Sequence, residues 1–393
     1  MESVSDGDSD KILVIEIIMK IGILTLPLNT NYGGILQAYA LQTVIERIGH
    51  EVKVIDVSGK AKLKWYKAPF VICRRILSQF TSHPTPILFE HQLNKERKTS
   101  ELNTRPFIKQ NIHTYIARQL DDIKEGVFDA IIVGSDQIWR PKYVCYMSKK
   151  NALENAYLQF AKDWHIKRIA YAASFGVEDW EYTQEETNNC MELIKLFDAL
   201  SVREESAVGL CKRELKADAI HVLDPTMLLD KKDYTALFFK KQTPPSSGKL
   251  MVYVLDKSPK ITNVIKHIED NYHLSPFYTS ADTKNKNIPL SQRIQPPVEN
   301  WLRGFYDAEL VITDSFHACV FSILFGKPFI VFGNDSRGMA RFQSLLRMFD
   351  LEYRLWSEQT DLERCLKPIS NQTYEKLEEW RIKSLSFLKN GLA

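Results

Sequence analysis

Lys20-Ile-Gly-Ile-Leu-Thr-Leu26 is a short apolar run that stops at Pro27, and Asn29-Thr-Asn-Tyr-Gly-Gly34 follows it as a turn. Ile35 to Ile48 then carries apolar residues at helical spacing and ends at Gly49, and Val52 to Val57 is apolar again. The periodicity changes from strand to helix and back within about 40 residues. Such a strand–loop–helix–strand unit opens a parallel α/β sheet. The strand is expected to begin at Met19, so Met19 is a reasonable alternative start. Residues 1–18 are then an N-terminal extension expected to be disordered, with the acidic stretch Glu2 to Asp10 and the apolar run Ile12 to Met19. A secretory signal would need a basic start and a small-residue cleavage site, and neither is there.

The same alternation continues downstream. Strands are expected at Phe128–Val133, Arg168–Ala173, Ala199–Arg203 and Ala219–Leu223. Residues 60–120, rich in Lys, Arg and aromatics, offer no strand of that quality. Lys241-Gln-Thr-Pro-Pro-Ser-Ser-Gly-Lys249 has a linker's composition. After it come expected strands at Leu250–Leu255, Leu310–Thr313 and Pro328–Phe332. Expected helices lie at Lys260–Asn271, Glu299–Tyr306, Phe316–Phe325 and Asn371–Lys389. The organisation read from this is an α/β chain of two Rossmann-like domains facing across a cleft, 19–243 and 244–368, with a final helical segment 369–393. Ligands in such sheets lie at the carboxyl ends of strands.

The 393 residues suit about two domains. A net charge of +3 is too mild for a nucleic-acid partner. Of the six cysteines, the nearest pair in sequence is Cys190 and Cys211, far from Cys-x-x-Cys spacing. The nine histidines show no zinc spacing, and no metal is expected. Six reduced thiols in a cytoplasmic protein is the simplest reading.

The chemistry should then gather at strand ends. Thr313-Asp-Ser-Phe-His317 turns from an apolar strand into a helix within four residues. Ser315 is a natural N-cap, its hydroxyl accepting from a backbone N–H two or three residues on. His317 falls in the first helical turn, where free N–H groups and the helix dipole favour an anion. A half-buried histidine beside a capping loop reads equally well from the pattern alone. Gly134-Ser-Asp-Gln-Ile-Trp139 presents Asp136 at another strand end, either to the cleft or as an ordinary N-cap. Arg203 can grip a carboxylate or phosphate bidentately, or pair with Glu204 or Glu205. Asp224-Pro225 ends a strand and by itself reads as a turn. Gly333-Asn-Asp-Ser-Arg-Gly-Met-Ala-Arg341 puts Arg337 and Arg341 on a loop suited to an anion, or to solvent. Asn31-Tyr-Gly-Gly-Ile-Leu-Gln37 lets backbone approach a ligand but is no Walker loop. Residues 60–80 interleave six cations with aromatics and aliphatics. That suits the surface of an anionic membrane or a solvated helix, and Pro69 argues against one continuous helix.

These segments together resemble the polysaccharide pyruvyl transferase family. The resemblance rests on Asn31-Tyr-Gly-Gly-Ile-Leu-Gln37, Gly134-Ser-Asp-Gln-Ile-Trp139, Ser201-Val-Arg-Glu-x-Ser206, Asp224-Pro225, Glu299-Asn-Trp-Leu, Thr313-Asp-Ser-Phe-His317 and Arg341-Phe-x-Ser-Leu-Leu346. It implies a glycosyltransferase-B-like fold whose C-terminal helix crosses back onto the first domain. It implies phosphoenolpyruvate as co-substrate, no other cofactor, and a cyclic pyruvate ketal formed on a glycan hexose. The acceptor would be a polyprenyl-diphosphate-linked saccharide, in surface or capsular polysaccharide biosynthesis. His317 would be the general acid, Asp136 the base, and Arg203, Ser315, Phe316, Arg337 and Arg341 would hold the donor. Asn31, Tyr32, Gly33, Gly34, Gln37, Ser135 and Trp139 would line the acceptor cleft. Better-known members carry arginine where Ser315 stands, so Arg337 or Arg341 would supply that cation. A nucleotide-sugar glycosyltransferase and a catalytically silent scaffold are the alternative readings.

Overall fold

The computed structural model describes residues 18–57, 63, 65–81, 85–144, 151–283, 285–334 and 338–393. Arg337 and most of the N-terminal extension lie outside them, as do residues 60–62 and 64 of the cationic stretch. Seven parallel strands form the first sheet: β1 (Lys20–Leu24), β2 (Glu51–Asp56), β3 (Thr114–Ile116), β4 (Ala130–Val133), β5 (Lys167–Ala173), β6 (Ala199–Val202) and β7 (Ile220–His221). Their order is β3-β2-β1-β4-β5-β6-β7. The second sheet, also parallel, contains β8 (Leu250–Tyr253), β9 (Pro276–Tyr278), β10 (Leu310–Thr313) and β11 (Phe329–Val331), in the order β11-β10-β8-β9. Chain order reverses between β1 and β4 in one sheet and between β8 and β10 in the other. Those two switch points are where crevices open in doubly wound sheets.

One apolar core runs through both domains, from Ile21 and Ile35 of the first to Val311 and Phe321 of the second. The outer faces of the sheets have cores of their own. The two domains are therefore packed together through a common layer. The helix Lys231–Lys240, placed by the linker reading with the first domain, packs on the second. Its Tyr234 ring meets Phe321 edge-on, and Arg303 lies over Phe238 and Phe239.

The final helix, Asn371–Leu392, crosses back as expected. Near its start the Tyr374 hydroxyl stands at Gly326 of the second domain. Farther along, Arg381 donates to the carbonyls of Met227 and Leu229, and Ser384 Oγ accepts from Leu223 N. Lys167 Nζ donates to the carbonyl of Leu392.

Two short strands, β3 and β9, are absent from the sequence reading. Each has three residues and is only partly buried, too little for an alternation to show. The first helix starts at Tyr32 rather than Ile35, so Gly33 and Gly34 lie inside its first turn.

Candidate active site

The corner after β10 is built by its own polar residues. Thr313 Oγ1 donates to Tyr253 O at 2.7 Å and accepts from Ser315 N at 3.0 Å. The Asp314 carboxylate accepts from Leu255 N and Asp256 N at 2.7 and 2.9 Å, tying the loop after β8 to the corner. The helix Phe316–Phe325 therefore starts at a fixed point, and His317 occupies its first turn. Ser315 is the N-cap by position, but its hydroxyl makes no capping bond. The capping bond expected of Ser315 is therefore not made, and the Thr313 hydroxyl takes the N–H of Ser315 itself.

Across the cleft, a charged residue follows within three positions of the ends of β4, β6 and β7. Arg203 Nη1 donates to Asp224 Oδ2 at 2.8 Å, and its Nη2 lies 3.8 Å from Asp136 Oδ1. His317 Nε2 stands 3.5 Å from the same Asp224 oxygen. Ser135 Oγ donates toward it at 3.4 Å and accepts from Asp136 N. Thr226 binds the other oxygen of Asp224 through both its N–H and its hydroxyl. Asp224 is thus the hub of the site, a residue that sequence reading took for a turn. The signal was its place at a strand end before proline, which many turns share.

Burial alone would push the Asp224 carboxyl up. The charges of His317 and Arg203 and the Thr226 hydroxyl outweigh it and hold the group far below the usual carboxylate range. Burial likewise opposes the charge on Arg203, and Asp224, Asp136 and Glu204 more than restore it. Glu204 and Glu205 are not its direct partners. Glu204 accepts from Ser174 Oγ, Phe175 N and Gly176 N, while Glu205 pairs with Arg347 at 3.0 Å.

Arg341 joins from the helix Ala340–Met348. The guanidiniums of Arg203 and Arg341 lie 4.5 and 5.6 Å from the centre of the Phe316 ring. Burial and the charge of Arg203 push Arg341 down to about 10. Arg203 Nε and Nη2 and His317 Nε2 are buried without a hydrogen-bond partner among the described residues. Cationic donors left over in a buried pocket suit an anion.

The site is shut. Asp224, Arg203, Asp136, His317 and Arg341 are each at most 6% exposed. Glycines make the closure tight. A Cβ on Gly33 would fall 2.0 Å from His317 Nδ1, and one on Gly338 would fall 1.7 Å from Gly176 O. Gly338 also has φ +93°, a left-handed conformation that favours glycine. Glu205 N donates to Ser344 Oγ across the same seam. Beside it a cavity of about 190 Å³ is lined by Glu178, Glu205, Ser206, Ser344 and Arg347 among others. In this arrangement His317 is covered from both domains. The substitution Gly33→Ala is therefore expected to hold them apart. Turnover should fall by about 10²-fold, the scale of a small misplacement of reacting groups. The radius of gyration from solution scattering should rise, with helix content unchanged.

The structure brings together His317, Phe316, Arg203, Arg341, Asp136, Ser135, Gly33 and Gly34. Asn31 is exposed at the mouth of its helix. Three expected cleft residues are buried supports instead. The Tyr32 hydroxyl is directed at the carbonyls of Thr279 and Pro296, and its ring packs on Tyr253 and Trp301. Gln37 donates to Thr25 Oγ1 and accepts from Ser135 N, holding two strand ends together. Trp139 stacks on Tyr157 at 4.8 Å and donates to Ala156 O. Each is fully buried, and the protein's own groups take up its polar atoms. Among the described residues no group of three His, Cys, Asp or Glu side chains could hold a metal.

The fold is a two-domain α/β architecture of glycosyltransferase-B-like type, with a polar centre between the domains. The chain belongs to the polysaccharide pyruvyl transferase family, whose model matches residues 31–336. The family is one of transferases. No curated protein matches the chain. Among solved structures, the N-terminal domain of Candida albicans trehalose-6-phosphate phosphatase is similar at 12% identity and a TM-score of 0.47, covering 96% of this chain and 97% of that one. S. aureus MnaA, solved with UDP, is similar at 13% identity and a TM-score of 0.44, covering 92% and 88%. The Neisseria meningitidis UDP-GlcNAc 2-epimerase bound to UDP-GlcNAc is similar at 12% identity and a TM-score of 0.43, covering 94% of each chain.

Proposed function

We propose that this polysaccharide pyruvyl transferase takes pyruvate from phosphoenolpyruvate and sets it as a ketal on a hexose of a lipid-linked glycan. The observation that carries the reading is the convergence of His317, Arg203 and Arg341 in one buried pocket, where Arg203 Nε makes no hydrogen bond among the described residues. Phosphoenolpyruvate brings a phosphate and a carboxylate, which call for such cations. Its methylene carbon must gain a proton before the neighbouring carbon can accept a hydroxyl. His317 gives that proton as general acid. The Asp224 carboxylate, 3.5 Å from Nε2, holds the imidazole in place for that transfer.

One sugar hydroxyl then adds to the activated carbon and loses its proton to Asp136. A second hydroxyl displaces phosphate and closes the ring. Of its two protons lost, the diol supplies in sum the one that His317 delivered and one that leaves with phosphate. Asp224 is a poor base because its carboxyl is held so far below the usual range. It positions His317 and Arg203 instead. The cation expected at Ser315 is supplied by Arg341, which meets Phe316 of the same corner. Closure excludes water, which would otherwise compete with the sugar hydroxyl.

Titration calorimetry separates this reading from its nearest rival. Phosphoenolpyruvate should bind, and a panel of nucleotide sugars should not. The substitution Arg341→Gln should weaken phosphoenolpyruvate binding by about 10- to 100-fold, the usual worth of a hydrogen bond to a charged group. Binding of a nucleotide sugar without phosphoenolpyruvate overturns the donor assignment.

A further inference from the structure

We propose that the excursion between β2 and β3 is a docking surface for an anionic phospholipid bilayer. It starts from the helix Ala68–Ser78, whose side chains are exposed or only partly covered. That helix has 11 residues and not one buried side chain. A helix so short draws little stability from propensity and needs a packed face. Its outward stripe is Phe70, Cys73, Arg74 and Leu77, spaced three and four residues apart. Trp65 and Phe80, before and after the helix, are 86% and 87% exposed, and Phe70 is 74% exposed. Tyr66, Ile76, Leu77 and Leu88 are exposed as well. A single exposed apolar residue is ordinary, but a contiguous set with aromatics at its rim marks an interaction face.

Charge decides which partner. Between Asp56 and Glu90 the sequence has no acidic residue, yet it has Lys60, Lys62, Lys64, Lys67, Arg74 and Arg75. Glu90 takes Arg75 through two bonds of 2.7 Å. Apolar and aromatic side chains interleaved with an excess of cations match a bilayer of anionic lipid, where the rings enter the interface and the cations meet headgroups. A protein partner's apolar groove would not call for this excess of one sign.

The surface is also well placed. β2 runs parallel to β1 and β4, so the excursion leaves the sheet at the edge that holds the candidate active site. The helix Phe89–Ser100 then reaches the second domain, where Gln295 N donates to Ser100 O and Arg293 lies 3.9 Å from Glu96. The patch is thereby braced to both domains beside the cleft. Docking there would hold the cleft at the height of a headgroup-borne saccharide. The inference agrees with the lipid-linked acceptor proposed above, but it stands on the patch and its charge.

The test is co-sedimentation of the full chain with vesicles of phosphatidylcholine alone, and of phosphatidylcholine with phosphatidylglycerol. No donor or acceptor is present, so its failure leaves the pyruvyl transfer reading untouched. The expected result is binding to the anionic vesicles only, weakened by added salt. The triple substitution Trp65→Ser, Phe70→Ser and Phe80→Ser should reduce it by about tenfold or more. Lys67→Gln with Arg74→Gln should reduce it to a similar degree. Both variants should keep the wild-type melting temperature and phosphoenolpyruvate affinity. Failure to bind either vesicle overturns the proposal, as does equal binding to both. A dimer in sedimentation velocity that the triple variant dissolves, without lipid binding, assigns the face to a second copy and overturns it too.

Discussion

Replacing His317 by alanine is expected to lower pyruvate transfer by roughly 10²–10⁴-fold, the range of a lost general acid. The loss should fall on kcat. Arg203 and Arg341 remain to hold the donor, so phosphoenolpyruvate affinity should change little in calorimetry. Stability should change little as well. The helix Phe316–Phe325 keeps its apolar anchors Val320, Phe321 and Ile323, all fully buried, and Asp224 keeps Arg203 at 2.8 Å. A variant that is inactive, still binds donor and melts with the wild type separates a chemical role from a structural one. Equal loss of donor affinity and activity would make His317 a binding residue instead.

Asp224 is expected to give the opposite pattern. Asp224→Ala removes the carboxylate against which Arg203 and His317 are set, and leaves Thr226 and Ser135 without their acceptor. Arg203 then stays buried with Asp136 at 3.8 Å and the charge of Glu204 to offset it. Breaking a buried pair from one side costs about 3–5 kcal/mol. Urea unfolding should show that loss, and activity should go with it. Asp224→Asn keeps the shape but not the charge and should fall between. The pH dependence has a definite sign. The folded carboxyl lies below its unfolded value, so its contribution is fully present above the ordinary carboxylate range and lost as pH falls through the folded value. The stability gap between wild type and Asp224→Asn should therefore be level above about pH 5 and shrink below about pH 4. A gap that widened with acid would contradict the charge arrangement described.

The two domains were legible because their strands are apolar, short and followed by turn residues. Leu310–Thr313 and Phe316–Phe325 match the sequence reading residue for residue. The corner residue His317 could be singled out for the same reason, since strand, cap and helix adjoin in sequence. Asp224 could not. Its partners Arg203 and His317 are brought to it by the crossover of strands and by closure of the second domain. Nothing local to Asp224-Pro225 reports either. Tyr32 and Trp139 were misplaced by the same logic. Their segments lie at strand ends, which suggested a cleft, but Tyr32 is covered by Thr279 and Pro296 of the other domain and Trp139 by Tyr157. Gly33 sits in a helix that would rather not have it, and only the His317 ring lying against it explains why.

The most direct test of the account is a single incubation. Wild type and His317→Ala are mixed with phosphoenolpyruvate and a lipid-linked saccharide fraction, and phosphate release is followed alongside the mass of the saccharides. The expected result for wild type is one phosphate released per saccharide that gains one pyruvate less one water, with neither change in the variant. Saccharides unchanged by phosphoenolpyruvate but extended by one sugar residue from a nucleotide sugar would contradict it.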